Sequence, residues 1–446
     1  MEPKRVRETT RAIVLGASIA GLLAGRILAS FFDEVILLDK EELDDGIAAR
    51  KAVPQGNHVH VILTPTYVAL QRYFPGLVDN LVSQGATVRD AGSDARVMIY
   101  GQSLTNGYTG QAIIGSTRPF FENHLRQYVL AIDGVEIRSG HRFQKWLWSD
   151  SGRKITGIVA RDAHGEQSLS ADLFVDARGR ASTLISELNE MGYGRPPVEQ
   201  VEVGLGYTSR LYRTTDFRPD WNFLYVNPYA PGMWKGGIIA GVEDDKWVVT
   251  QFGYFNDHPP ADEAGFMQFA RSLDAPDVAD FLSSAQPASA FCRIGMRDCK
   301  IFRFEKLDAF PERLLAVGDT VCSLNPVYGQ GMTKAANEAV YLRRSLEEHM
   351  LKNLTLDGFS NKFRRGLPDA GANWGWQLTR AADLSFRKAI GNRSAVDALM
   401  VRYMKRLLLR ATNNLDARSG IMDATMLIKP PQTLLRPGMI MHAFGK

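Results

Sequence analysis

The sequence predicts an α/β protein in which a parallel sheet, an antiparallel sheet and a C-terminal helical segment follow one another along the chain. A strand, a helix and a second strand fit into residues 12–39, which predicts a parallel βαβ unit. Alternating apolar residues and two strand-like runs around an acidic turn predict antiparallel pairing over residues 201–254. An apolar stripe at helical spacing over residues 394–411 predicts a helix near the C-terminus.

The composition is that of an ordinary globular protein. The chain has 446 residues, of which 45% are hydrophobic and 23% charged, and its formal net charge is +4. These values exclude a disordered, collagen-like or disulfide-scaffold protein, and so small a positive charge argues against a nucleic-acid partner. The three cysteines, Cys292, Cys299 and Cys322, follow neither a zinc pattern nor a disulfide framework. A cytoplasmic protein without a stable membrane span is therefore expected.

The βαβ unit carries a nucleotide-binding fingerprint. Gly16-Ala17-Ser18-Ile19-Ala20-Gly21 lies where the first strand passes into the helix, which is the context that the dinucleotide fingerprint requires. Gly16 permits the tight turn, Gly21 lets the helix pack on the strand, and Ser18 replaces the middle glycine. The helix N-terminus can stabilise a pyrophosphate, and Asp39 can accept a hydrogen bond from a ribose hydroxyl. The pattern predicts a Rossmann-like domain and leaves NAD and FAD as alternatives.

A second motif lies some 300 residues downstream, over Gly318–Met332. Asp319 follows a predicted strand, so its carboxylate lies at the strand end where open α/β sheets bind ligands and suits the ribityl hydroxyls of a flavin. The glycines of the loop allow the backbone to approach a flat ring, and the following helix directs its positive end at the ligand. The residues expected to bind the flavin are Asp319, Pro326, Gly329, Gln330, Gly331 and Met332.

These motifs resemble those of the single-component FAD-dependent monooxygenases, the family of p-hydroxybenzoate hydroxylase and squalene epoxidase. Gly-Asp followed by Pro-x-x-Gly-Gln-Gly is similar to the second FAD signature of that family, and Asp176–Ser182 is similar to its third. The stretch from Arg50 to His60 resembles a segment of the bacterial polyether-type polyketide epoxidases. In the family an arginine like Arg50 lies over the flavin, and Arg118 matches another position that contacts FAD.

The resemblance implies an FAD enzyme that uses NAD(P)H as a transient reductant and O2 as a substrate. One oxygen atom would pass through a C4a-hydroperoxyflavin to a small organic molecule by epoxidation or hydroxylation, and no catalytic side chain is assigned. A flavin reductase of the geranylgeranyl-reductase type, a flavin halogenase and a non-catalytic FAD-binding protein are the alternatives. Trp374-Gly375-Trp376 resembles part of the halogenase signature, but Gln377-Leu378-Thr379 follows in place of its Ile-Pro.

The middle of the chain is rich in aromatic residues and is expected to form the substrate site. Such a wall suits an apolar or aromatic substrate. The FAD-binding domain is expected over residues 10–190 and 296–350, the antiparallel substrate domain over 191–295, and the C-terminal helical region and tail over 351–446. The expected substrate-binding residues are Trp221, Phe223, Tyr225 and Trp234, with Trp247 beside them.

Three further features leave alternatives open. His58 and His60 have no third ligand at metal-binding spacing, so no metal site is expected. The basic residues of the 394–411 helix indicate either a solvated face of a helix packed on the core or a peripheral membrane contact. The prolines after Ile421 predict a loop or a docked arm. The basic residues are Arg402, Lys405, Arg406 and Arg410.

Overall fold

The computed structural model of the chain describes residues 9–43, 46–47, 50, 53–214, 217, 219–353 and 355–445; Lys51 and Ala52 of the predicted flavin loop lie outside them. The strands are β1 (Arg11–Leu15), β2 (Glu34–Leu38), β3 (Val61–Ile62), β4 (Thr87–Asp90), β5 (Ala95–Ile99), β6 (Gln102–Ser103), β7 (Ala112–Gly115), β8 (Val135–Arg138), β9 (Arg142–Trp148), β10 (Ile155–Asp162), β11 (Gly165–Ser170), β12 (Leu173–Asp176), β13 (Val198–Thr214), β14 (Phe223–Val226), β15 (Lys235–Val242), β16 (Lys246–Gly253), β17 (Ala285–Pro287), β18 (Cys292–Phe302), β19 (Leu314–Ala316) and β20 (Cys322–Ser323). The helices are α1 (Ile19–Leu28), α2 (Thr64–Tyr73), α3 (Leu77–Ser83), α4 (Arg118–Leu130), α5 (Leu184–Glu190), α6 (Glu263–Arg271), α7 (Asp277–Ser284), α8 (Gly331–Met350), α9 (Phe359–Gly366), α10 (Ala372–Leu384), α11 (Ala395–Arg410), α12 (Leu415–Thr425) and α13 (Pro437–Phe444).

A parallel sheet in the order β19-β12-β1-β2-β8 forms one half of the molecule. Its strands are continuous apolar runs because both faces of the sheet are covered; Ala12–Leu15 of β1 are at most 1% exposed. Helix α1 packs against α8 and α4 beside this sheet. The predicted βαβ unit is confirmed as β1, α1 and β2, with β1 and β2 paired in parallel.

A large, mainly antiparallel sheet lies beside it, in the order β20-β18-β13-β16-β15-β14-β5-β6 with β17 paired to β13. The predicted hairpin is confirmed as β15 and β16, and its turn places Asp244 and Asp245 at positive φ. Strands β5 and β6 of this sheet lie within residues 10–190, which the sequence assigns to the FAD-binding domain. Strand β18 crosses residue 295, the predicted end of the substrate domain. Two smaller sheets, β11-β10-β9 and β3-β7-β4, complete the β structure of the described residues.

The C-terminal region is helical almost to its end, so of the two forms predicted for the tail after Ile421, a loop or a docked arm, the loop is wrong. Ile421 lies inside α12, and Pro431 and Pro437 occupy early positions of a 3₁₀ helix (Pro431–Leu435) and of α13. Proline at the first turn starts a helix because its missing N–H would have no partner there. The predicted 394–411 helix is confirmed as α11, which begins with a capping box between Ser394 and Asp397.

No helix within the described residues is long and apolar enough to cross a lipid bilayer.

Candidate functional site

A cavity of about 1840 Å³ extends between the parallel sheet and the large sheet. Pockets for a single drug-sized ligand occupy about 300–1,000 Å³, so this cavity has room for a dinucleotide and a second molecule. The carboxyl ends of β1, β12 and β19 open onto it, and these three strands are neighbours in the sheet. The sheet therefore brings the three sequence motifs together. Of the predicted cofactor residues, all except Gly21 line the cavity.

The fingerprint has the backbone geometry that glycine alone allows. Gly16 has φ +102°, and a Cβ there would lie 2.6 Å from the carbonyl oxygen of Ala177. A Cβ at Gly21 would lie 1.8 Å from the carbonyl oxygen of Gly16, so α1 packs directly on the β1 turn. The Ser18 side chain makes no capping hydrogen bond to α1. Since Ser18 also lines the cavity, the N-terminal end of α1 fits a pyrophosphate.

Arg50 lies in a buried network of charges beside this turn. It pairs with Asp39 at 2.7 Å, Glu122 at 2.8 Å and Glu41 at 3.1 Å. Burial lowers the pKa of Arg50, but Asp39 and Glu122 raise it by more, so that its pKa lies above the ordinary value. Arg118 binds Glu122 at 2.8 Å and the Ser18 hydroxyl at 3.0 Å. The structure thus places Arg50 and Arg118 at the fingerprint end of the cavity.

A buried ion pair stabilises the turn before Asp319. Gly318 has φ +66°, and its N–H donates to Glu338 at 2.7 Å. Glu338 pairs with Lys334 at 3.1 Å, and both side chains are at most 1% exposed. This pair was not predicted from the sequence, although a lysine and a glutamate four residues apart in a helix of small residues are a recognisable signal. Asp319 itself lines the cavity.

The glycine-rich loop faces open space. Asn325 accepts a hydrogen bond from the Val327 N–H at 3.1 Å, which fixes the turn, and Gly329 needs glycine because its φ is +67°. At Gly331 neither the backbone conformation nor the packing requires glycine, because its φ is not in the left-handed region and a built Cβ has no neighbouring atom within 4 Å. A molecule that approaches the backbone closely explains a glycine at this position, so the loop fits a flat ring. Gln330 donates to the Thr425 carbonyl at 2.7 Å and ties the loop to α12.

We predict that Gly331→Ala weakens FAD binding by about tenfold, because the added methyl group occupies the face that the ring approaches, a cost of roughly 1–3 kcal/mol. The stability of the cofactor-free protein should stay equal or rise by up to about 1 kcal/mol, because alanine favours the helix. Flavin titration and urea unfolding measure the two effects. Gly438→Ala, which also adds a methyl group in open space near a helix start, is the matched control. Unchanged flavin affinity in Gly331→Ala would contradict this role of the loop.

The structure separates the aromatic residues expected at the substrate wall. Phe223 and Tyr225 line the cavity, because alternate residues of β14 face it. Trp221 and Trp247 pack against Phe281 in an apolar cluster under α6 and α7 and do not line the cavity. Trp221 precedes β14, so the alternation of the strand does not orient it.

Trp234 also lies outside the cavity lining. Its indole N–H donates to Asp257 at 2.9 Å, and the Lys388 ammonium group lies 4.8 Å from its ring centroid. Trp234 is thus held by polar partners beside the sheet. Fewer aromatic residues of this segment therefore line the cavity than the sequence predicts.

A buried polar cluster at the cavity wall was not predicted. Asp383 accepts hydrogen bonds from Asn325 at 2.9 Å and from the Tyr328 hydroxyl at 3.0 Å. Burial raises the pKa of Asp383 to about 7. Tyr207 and Tyr225, which line the cavity, have buried hydroxyls without a hydrogen-bond partner among the described residues. The cluster joins residues more than 170 positions apart, and no local sequence signal marks it.

His58 and His60 line the cavity without forming a recognisable metal site. His58 Nδ1 lies 2.6 Å from the Ser209 hydroxyl, and His60 Nδ1 lies 2.9 Å from the His58 carbonyl oxygen. Burial lowers the pKa of His58 to about 4 and that of His60 to about 3, so both rings are neutral at physiological pH. Their contacts are those of packed, hydrogen-bonded residues.

The far end of the cavity is apolar and is built largely by the C-terminal helices. Strand β5 and the following loop provide one side, and α11, α12 and the 3₁₀ helix after α12 provide the other. The C-terminal region therefore completes the cavity wall. The apolar residues there include Val97, Ile99, Leu104, Met400, Met404, Leu408, Ile421, Met422, Met426, Leu434 and Leu435.

Comparison with known proteins identifies one curated relative and many structures of the same fold. No protein-family model matches the chain. Protein Rv3254 of Mycobacterium tuberculosis (strain H37Rv) is 30% identical over 349 residues, which cover 75% of this chain and 73% of the relative.

Similar solved structures include the flavin-dependent brominase Bmp2, with a TM-score of 0.68, 13% identity and coverage of 94% of each chain. PqsL of Pseudomonas aeruginosa, described as a probable FAD-dependent monooxygenase, has a TM-score of 0.64 and 15% identity, covering 84% of this chain and 97% of its own. The p-nitrophenol 4-monooxygenase PnpA of Pseudomonas putida has a TM-score of 0.63 and 15% identity, covering 94% and 98%. The predicted fold class is thereby confirmed.

Proposed function

We propose that this chain, which belongs to the same protein family as Rv3254 of M. tuberculosis, is an FAD-dependent monooxygenase that inserts one oxygen atom into an apolar or aromatic organic substrate. One observation carries the proposal: the fingerprint turn, Asp319 and the glycine-rich loop all line a single cavity, and the far end of this cavity is apolar. The likeness of the fold to flavin-dependent oxygenases supports it.

The residues present fit FAD. Its pyrophosphate would lie at Gly16, Ser18 and the N-terminal end of α1. Asp39 would accept a hydrogen bond from a ribose hydroxyl. Asp319 would bind the ribityl chain, and the flat ring would lie against Gly329–Gly331, where the backbone is open. Bound FAD would supply the electron storage and O2 activation that side chains lack, with NAD(P)H as the transient reductant.

The work of the chain is to hold the substrate, exclude water and stabilise charge. The apolar far end would bury the body of the substrate, and Tyr207 and Tyr225 would offer hydrogen bonds to a polar group on it. The N-terminal end of α8 follows Gln330 directly and favours negative charge on a ring bound at the loop. Epoxidation and hydroxylation both agree with this arrangement.

A halogenase is the second candidate, because the fold is also that of Bmp2 and of the flavin-dependent halogenase CmlS. In this chain Trp376, the second tryptophan of the halogenase-like segment, is 1% exposed. Its indole N–H donates to Glu199 at 2.7 Å and anchors α10 to β13. This contact gives Trp376 a structural role and makes the oxygenase the stronger proposal.

The test is turnover by the FAD-loaded protein with NADH or NADPH and a panel of alkenes and phenols, followed by an oxygen electrode and mass spectrometry. An oxygenase consumes O2 together with substrate and gives a product heavier by one oxygen atom. Reduced product without O2 consumption would assign a reductase, and a brominated product that appears only with bromide would assign a halogenase. If the protein binds FAD but oxidises NAD(P)H with none of the substrates, it would be a non-catalytic flavoprotein.

A further inference from the structure

The C-terminal helices expose several large apolar side chains. Ile440, Met441 and Phe444 of α13 are 41%, 66% and 57% exposed, and within the described chain α13 has no buried residue. On α11, Val396 and Leu399 are 64% and 67% exposed. The two helices pack against each other, so this apolar surface consists of exposed residues from two adjoining helices. Single exposed apolar residues are normal, whereas a cluster of this kind marks an interaction site.

Basic side chains lie on α11, and Arg436 directly precedes α13. None of the basic residues of α11, nor Arg436 before α13, forms an ion pair with any described residue. The Arg406 guanidinium lies 4.7 Å from the ring centroid of Phe444, which puts charge directly beside the exposed aromatic ring. The two helices carry one carboxylate, Asp397, and Arg380 binds it at 3.1 Å. The surface therefore combines exposed apolar groups with uncompensated positive charge.

The same surface borders the cavity. Val396 and Leu435 are exposed and also line the cavity, and Met400, Met404 and Leu408 continue inward along α11. Apolar side chains of α11 therefore extend from this surface into the cavity.

We propose that the surface formed by α11, Leu435 and α13 docks on an anionic phospholipid bilayer, with the apolar residues in the interfacial region and the basic residues at the headgroups. An interfacial helix typically has such an apolar face with flanking arginine and lysine. A second copy of the chain fits less well, because a two-fold contact would bring the unpaired basic residues of both copies together. Docking does not depend on the proposed chemistry, and it would let an apolar substrate enter from the lipid.

The experiment is co-sedimentation of the FAD-loaded protein with vesicles of phosphatidylcholine alone and of phosphatidylcholine with phosphatidylserine. We expect binding to the anionic vesicles that weakens as salt is added. Met441→Glu with Phe444→Glu should abolish binding. Arg402→Gln with Arg406→Gln should weaken binding to anionic vesicles by about tenfold or more, since each basic residue near such a surface contributes roughly 1 kcal/mol.

Leu351→Glu is the control, because Leu351 is 85% exposed and lies outside this surface, at the end of α8. Circular dichroism and flavin content verify that each variant is folded. Three results would overturn the proposal: no binding of the folded protein to anionic vesicles, equal loss in Leu351→Glu, or a dimer in light scattering that Met441→Glu with Phe444→Glu converts to a monomer.

Discussion

Lys334→Met is expected to destabilise the folded protein by about 3–5 kcal/mol, because it leaves the carboxylate of Glu338 buried without its partner. Both side chains are at most 1% exposed, so water cannot replace the lost ammonium group. Burial raises the pKa of Glu338 and Lys334 lowers it, so the variant should shift this pKa further upward. Urea unfolding of the cofactor-free protein at neutral pH measures the loss.

The double variant Lys334→Met with Glu338→Gln is the control for this prediction. A glutamine amide oxygen can still accept the Gly318 N–H that Glu338 accepts at 2.7 Å, and it is neutral. Most of the lost stability should therefore return in the double variant. A buried carboxylate without its partner destabilises the fold more than the removal of both charges does. Equal instability of the single and double variants would show that Lys334 contributes by packing alone.

Asp383→Asn is expected to change how stability depends on pH. The pKa of Asp383 is raised by burial from 3.8 to about 7, so the folded state holds its proton more tightly than the unfolded state does. The protonated Asp383 adds about 4 kcal/mol to the free energy of unfolding below about pH 4. This stabilisation is lost as the pH rises toward 7. Asparagine does not titrate, so the variant should gain about 4 kcal/mol relative to the parent protein between pH 4 and pH 8.

Urea unfolding of both proteins across this pH range gives the difference, in which the other titrating groups cancel. Groups that face Asp383 are the tyrosines Tyr207, Tyr225, Tyr254 and Tyr328 and the thiol of Cys299. They titrate above this range because burial raises their pKa values. Asp150→Asn, which removes an exposed carboxylate, is the control variant. A constant difference between parent and Asp383→Asn would contradict the raised pKa.

The half that contains the parallel sheet could be predicted because its signals are local. The fingerprint turn joins residues within six positions, and the geometry of Gly16 and Gly21 follows from the contact of α1 with the end of β1. The strand before Asp319 carries the same kind of signal. Their meeting in space follows from one rule, since parallel neighbours present their carboxyl ends at the same edge of a sheet.

The rest of the site depends on contacts that sequence spacing does not encode. Tyr328 and Asp383 meet because α10 packs beside the glycine-rich loop, and Trp221 faces away from the cavity because the chain bends before β14. The prolines of the tail predict a loop or a docked arm, whereas Pro431 and Pro437 each lie near the start of a helix, and the choice between these positions depends on tertiary packing. The role of α11 and α12 in the cavity wall likewise follows from tertiary packing.

The most direct test of the central claim is mass spectrometry of the product formed by the FAD-loaded protein from O2 labelled with heavy oxygen, in unlabelled water. A monooxygenase incorporates one labelled oxygen atom into each product molecule, and we expect this product only when both FAD and NAD(P)H are present. A product that carries no label, or one that forms equally well without O2, would contradict the assignment as a monooxygenase.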